Sequence, residues 1–212
     1  MQREFAAINA QLRSPRDPMS GEVVQNMLAG YAFVDELLAS GIDLFSLRHL
    51  PLLLELNSTV LCGTSRVRRE EFANHLRATE TRFYEAEPGV RDLLEWYDMH
   101  KRDSAWLRAA GTFIRVISKP QLYIEGNHRS ATLAASWILG ASGEPPFVLS
   151  VENAVAYFEP TSVIRDTAKR GAVALFRMPV FRRRLALFLR SQADSRYLLP
   201  SDFNLDALQR QT

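Results

Sequence analysis

The sequence predicts an all-α fold. Between glycine and proline breaks, almost every segment spaces its apolar residues three and four apart, the period of a half-buried helix. Alternating runs that would mark strands are sparse. Across 212 residues, the hydrophobic fraction of 47% and charged fraction of 24% are ordinary for a globular chain. Such a chain can bury a core without metal or disulfide staples.

The elements follow in order. Residues 1–20 hold Ser14-Pro15-Arg16-Asp17-Pro18 and suggest a short helix or arm followed by a linker. From Glu22 to Ser40, Val23, Met27, Phe33-Val34 and Leu37-Leu38 keep helical spacing, and Gly41 ends the run. Pro51 can open the next helix, Leu52 to Leu61, which Gly63-Thr64-Ser65 breaks. Glu70 to Glu85 has Phe72, Leu76, Thr79 and Phe83 on one stripe. Pro88-Gly89 separates it from a helix over Val90 to Met99.

Ser104 fits as the N-cap of a helix running from Ala105 to Ser118. A loop over 119–126 and a helix over 127–140 come next. Pro145 to Leu149 allows a short extended piece. Ser150 and Asn153 cap a short helix carrying Val155 and Phe158, and Thr161 is expected to cap another. Pro179 should kink or divide the stretch from Ala168 to Leu189. The tail is expected to pack only through Phe203, Leu205 and Leu208.

The net charge is only +2, but it is uneven. Nine basic residues fall between Ser162 and Leu199, against Asp166 and Asp194 alone. Residues 165–190 could therefore meet a phospholipid surface or nucleic acid. The preferred reading is a core helix with an arginine-rich solvated face, because Pro179 interrupts any continuous membrane-lying helix. Of Arg182-Arg183-Arg184, pointing in different directions on a helix, at least one should pair with a carboxylate. Cys62 is the sole cysteine, which excludes an intrachain disulfide and fits a reducing compartment. The N-terminus lacks the layout of a secretory signal, and no apolar run is long enough to span a bilayer, so a cytoplasmic location is expected.

The most informative segment is Leu122-Tyr123-Ile124-Glu125-Gly126-Asn127-His128-Arg129, running from the Lys119-Pro120 turn into an apolar helix. A Gly-Asn pair at a helix start offers backbone N–H groups and the positive end of the helix dipole to an anion. Glu125 could hold a divalent metal, and Arg129 could fork onto a phosphate. The plainer reading is a turn and helix cap with Asn127 as N-cap. His128 is either an idle first-turn histidine or a ligand contact.

This segment resembles the active-site loop of Fic/Doc (Fido) proteins, whose pattern is His-x-Phe-x-Asp/Glu-Gly-Asn-Gly-Arg-x-x-Arg between two helices. Tyr123, Glu125, Gly126, Asn127 and Arg129 match it. Gly143-Glu144-Pro145-Pro146-Phe147 and Tyr157 are similar to the turn and helix that follow in the family. The resemblance implies a Fic-like helical core over residues 50–165, which leaves an N-terminal helical arm over 1–49 and a basic helical extension over 166–212 outside it. It further implies ATP or another nucleotide, with phosphates on Gly126, Asn127, His128 and Arg129 and Mg²⁺ on Glu125. The implied reaction transfers AMP or another phosphate-containing group to a hydroxyl of a target protein.

Three positions depart from the pattern. Gln121 stands where the family has its general base, and an amide cannot take a proton near pH 7. His128 replaces the second glycine, and Thr132 replaces the second arginine. Any base would then be His128, and transfer should be weak or altered. The alternative is a non-catalytic Fic-fold protein that acts by binding a partner. Ser58-Thr59-Val60-Leu61-Cys62-Gly63 resembles the family's inhibitory string with Cys62 in place of glutamate, though a helix end with a glycine C-cap explains it more simply.

Overall fold

The computed structural model describes residues 2–198. These form ten α-helices: α1 (Phe5–Gln11), α2 (Gly21–Ala39), α3 (Leu50–Cys62), α4 (Arg66–Glu71), α5 (Ala73–Glu85), α6 (Val90–Met99), α7 (Ala105–Ile117), α8 (Asn127–Gly140), α9 (Ala154–Asp166) and α10 (Ala172–Ser191). No strand occurs among the described residues; one isolated parallel bridge joins Lys119 to Ala168. No helix among them is long and apolar enough to cross a membrane.

The core is organised around α8, which is buried from Ser130 to Leu139. Its small residues Ala131, Ala134, Ala135 and Ser136 let neighbouring helices come close on several sides, so α7, α2 and α3 all pack against it. Two glycines extend that closeness. A methyl group added at Gly30 of α2 would lie 2.4 Å from Leu133, and one at Gly140 2.6 Å from Leu38. On the far side of α7, the Trp96 ring lies so near Gly111 that an added Cβ would sit 1.9 Å from it. There α10 covers α7.

Most helices sit where their caps predict. Ser104 accepts the Leu107 N–H at the start of α7, and Ser20 accepts that of Val23 at the start of α2. Gly63 ends α3 with φ at 63°. The stretch expected as one helix over 70–85 is two, because Ser65 caps the short α4 and Phe72 separates it from α5. Thr161 does not begin a new helix. The chain runs through Pro160 as one helix, and the Thr161 and Ser162 hydroxyls donate back to the carbonyls of Tyr157 and Phe158. Asn153 and Ser150 do bond reciprocally ahead of α9.

Pro179 does not divide α10; the carbonyl it leaves unpaired belongs to Leu175, an exposed residue where water can serve. Residues 145–149 form no strand. Within the arginine triplet, Arg182 pairs with Asp103 at 3.0 Å. Phe203, Leu205 and Leu208 lie outside the described residues.

Gly111→Ala tests the helix contacts. Alanine is the better helix former by about 1 kcal/mol, yet the rigid indole cannot yield as a leucine end can. Urea melts should show a net loss of about 1–3 kcal/mol, the usual cost of overpacking. Gly30→Ala, facing a flexible leucine, should cost less.

Candidate functional site

The loop between α7 and α8 is held by a few buried polar contacts. The Tyr123 ring stacks on Phe83 at 5.7 Å between centroids, and its hydroxyl donates to the Leu53 carbonyl at 3.0 Å. Burial pushes this phenol well above its usual range. The Asn127 side chain then closes the loop. Its Oδ1 accepts the Tyr123 N–H and its Nδ2 donates to the Tyr123 carbonyl, each at 2.9 Å. From α3, Asn57 Nδ2 donates to the Glu125 carbonyl at 2.9 Å and to Ser130 Oγ at 3.0 Å.

Asn127 is therefore a loop clasp and not the N-cap that the plainer reading gave it. The cap position is Gly126, at φ 73° and without a capping side chain. Glycine is needed there twice over: φ is left-handed, and a Cβ would meet Asn57 Nδ2 at 2.9 Å. Among the described residues, no protein group accepts the N–H groups of residues 127–129. These orphan donors stand at the positive end of the dipole of a fourteen-residue helix.

Residues 127–129 border a cleft of about 390 Å³. Met19, Met27, Tyr31, Phe147, Tyr157 and Phe158 supply much of its apolar wall. Glu125, Gly126, Asn127, His128 and Arg129, the residues singled out in the sequence, all line it. So do Arg16 and Asp17 from the stretch that looked like a linker.

The two arginines are held in similar ways. Arg129 Nη1 donates to the Val60 carbonyl in the last turn of α3. Arg16 Nη2 donates to Ser162 Oγ at 2.6 Å, and its guanidinium lies 5.2 Å from the centre of the Phe158 ring. Arg16 Nε is buried without a protein partner. Burial lowers the pKa of both guanidinium groups, which nevertheless remain cationic. Sequence reasoning missed Arg16 because its only local signal, flanking prolines, says linker.

Glu125 sits on the rim with its side chain 58% exposed, 4.0 Å from His75 Nε2. The described residues contain no cluster of three or more potential metal ligands. This donor set fits only a hard cation that arrives with its own phosphate oxygens, as Mg²⁺ commonly does.

His128 turns toward the interior, with its ring edge-on to Phe113 at 6.1 Å and Nε2 buried without a partner. Burial and then the positive charges of Arg16 and Arg165 push its pKa down to about 3. The ring is thus neutral at pH 7 and a weak proton acceptor. The Gln121 side chain folds back onto the Ile117 carbonyl at 3.2 Å and does not line the cleft. Arg82 Nε and Nη2 hold the Gln121 backbone carbonyl. Thr132 bonds to the His128 carbonyl and the Tyr157 hydroxyl, both at 2.9 Å. Ser58 to Gly63 is the closing turn of α3, whose Gly63 N–H returns to the Thr59 carbonyl at 2.8 Å, and Cys62 is buried with its thiol pKa raised by burial.

No family model matches the chain, and no curated protein or solved structure matches it.

His128 should leave a signature in the pH dependence of stability. An unfolded histidine titrates near 6.5 and the folded one near 3, so the unfolded state binds more protons between those values. Stability is complete above about pH 6.5 and falls as the pH drops toward 3. Between pH 6.5 and 4.5, wild type should lose about 1–3 kcal/mol more than His128→Gln, read from urea midpoints. Parallel pH profiles would contradict the buried neutral ring.

Proposed function

We propose that this protein binds a phosphate-bearing ligand, ATP or another nucleotide, in the cleft at the start of α8. On this reading it is a Fic-like protein with an altered loop. The supporting observation is the uncapped helix start: residues 127–129, whose N–H groups have no protein acceptor, line a cleft together with Arg16. Backbone donors and a helix dipole suit phosphate oxygens, and the aromatic wall suits the remainder of a nucleotide. Mg²⁺, brought with the phosphates, would sit on Glu125 and draw charge from them.

Transfer of AMP or another phosphate-containing group to a protein hydroxyl is reduced on this reading. Gln121 cannot accept the hydroxyl proton, and its side chain points elsewhere. His128, the remaining candidate base, is too weakly basic at neutral pH for efficient proton removal. What chemistry is left rests on positioning and charge. These two side chains also favour the second reading, a non-catalytic Fic-fold interaction or regulatory protein. A buried lone cysteine suits a cytoplasmic location.

Calorimetry with ATP and ADP, with and without Mg²⁺, tests the binding. Arg129→Ala and Arg16→Ala should each weaken nucleotide binding by about 1.5–3 kcal/mol, the scale of a charge-assisted hydrogen bond. Unchanged affinity in both folded variants would remove the cleft from consideration. Incubation with α-labelled ATP, Mg²⁺ and a cell lysate tests the chemistry, and wild type should label proteins weakly. Strong labelling that is lost in His128→Gly would make His128 the base and overturn the reduced-transfer reading.

A further inference from the structure

A second pocket, of about 470 Å³, lies between α6, α7 and α10 and shares no lining residue with the cleft. Its distinguishing group is Lys169, only 7% exposed. The backbone at this point is fixed by two bonds to the loop before α8. Lys119 N–H donates to the Thr167 carbonyl at 3.0 Å, and Lys169 N–H donates to the Lys119 carbonyl at 2.8 Å. Lys169 therefore lines the pocket from a backbone position held by both bonds.

Lys169 Nζ donates to the Arg115 carbonyl at 2.6 Å, in the last turn of α7. That bond satisfies an end carbonyl and gains from the helix dipole. It uses one of three ammonium protons. Among the described residues, no carboxylate forms an ion pair with Lys169, although a buried charge is ordinarily paired. The carboxylate of the pocket, Asp92, is already taken by Arg115 at 2.6 Å and Arg170 at 3.2 Å. Arg182, which like Arg115 lies over the Trp96 ring, pairs with Asp103, and Glu87 reaches Arg170 at 3.8 Å. Lys169, Arg115, Arg170 and Arg182 thus outnumber Asp92, Asp103 and Glu87 by one, and Ile114, Leu175 and Met178 line the pocket beside them.

We propose that this pocket binds a small organic anion, a carboxylate or phosphate monoester on a compact apolar body. The acid group sits on Lys169 Nζ and the neighbouring guanidinium groups, and the body rests against Ile114 and Met178. A helix cap alone explains the bond to Arg115; it does not explain the adjoining volume or the excess of cations around it.

Phenyl phosphate and benzoate are suitable probes, with benzyl alcohol as a neutral control of similar shape. Calorimetry on the whole chain should show that at least one anion binds and that benzyl alcohol binds at least about tenfold more weakly. Lys169→Met, which keeps the stem and removes the charge, should weaken the anion about tenfold or more, the scale of one charge-assisted hydrogen bond. Amine labelling gives a readout on the unaltered protein. The chain has three lysines, and those at 101 and 119 are exposed, with side chains 62% and 61% accessible. Burial draws the Lys169 pKa down to about 8, so near that pH it has a free amine to label. The binding anion should slow modification of Lys169 while sparing the other two. Failure of both anions to bind, equal affinity in a folded Lys169→Met, or unchanged labelling of Lys169 with bound probe would each overturn the site and leave Lys169 as a helix cap.

Discussion

The clasp between Asn127 and Tyr123 is the contact on which the site depends. One carboxamide satisfies both backbone groups of a buried residue, and it does so from the first turn of the helix whose start it defines. Without it, a buried N–H and a buried carbonyl would lose their partners, at a cost of several kcal/mol. The clasp also decides what α8 offers to solvent. Because the Asn127 side chain turns back into the loop, no side chain caps the helix and its first N–H groups stay free. Tyr123 extends the same constraint into the core, through Leu53 on one side and Phe83 on the other.

The two arginines of the cleft have lost much of the freedom that a surface arginine keeps. Arg129 is tied to α3 and Arg16 to α9, each through groups that are themselves fixed by helix geometry. A cation already oriented gives up little entropy when an anion arrives. Burial strengthens its field by removing competing water. The same burial works against His128. A dry surrounding, and then the guanidinium groups of Arg16 and Arg165, favour the neutral imidazole, so burial beside cations suppresses a base.

The helices were legible because their signals are local. Ser104 and Gly63 specify ends by chemistry carried within a turn, and the structure bears them out. The loop residues were legible for the same reason: Glu125 to Arg129 are contiguous, and all five reach one cleft. What escaped depends on contacts distant in sequence. Arg16 matters through Ser162 and Phe158, 146 and 142 residues away. The burial of Lys169 arises from α7 and the loop at Lys119, none of which its neighbours in sequence announce. Thr161 misled because a hydroxyl that caps a helix and one that bonds back to the previous turn look alike in sequence.

The dense enclosure of α8 divides the chain into parts that can vary and parts that cannot. From Ser130 to Leu139 every side chain is buried, and a methyl group at Gly30 or Gly140 would press on the end of a leucine side chain. Substitution there disturbs the whole assembly. The cleft, by contrast, is edged by the exposed Glu125 and by the segment around Asp17 and Pro18, which belongs to no helix. A lineage carrying this scaffold could alter the shape and charge that a ligand meets by editing those few edge positions. On the proposed reading, ligand preference is therefore free to drift while the architecture stays the same.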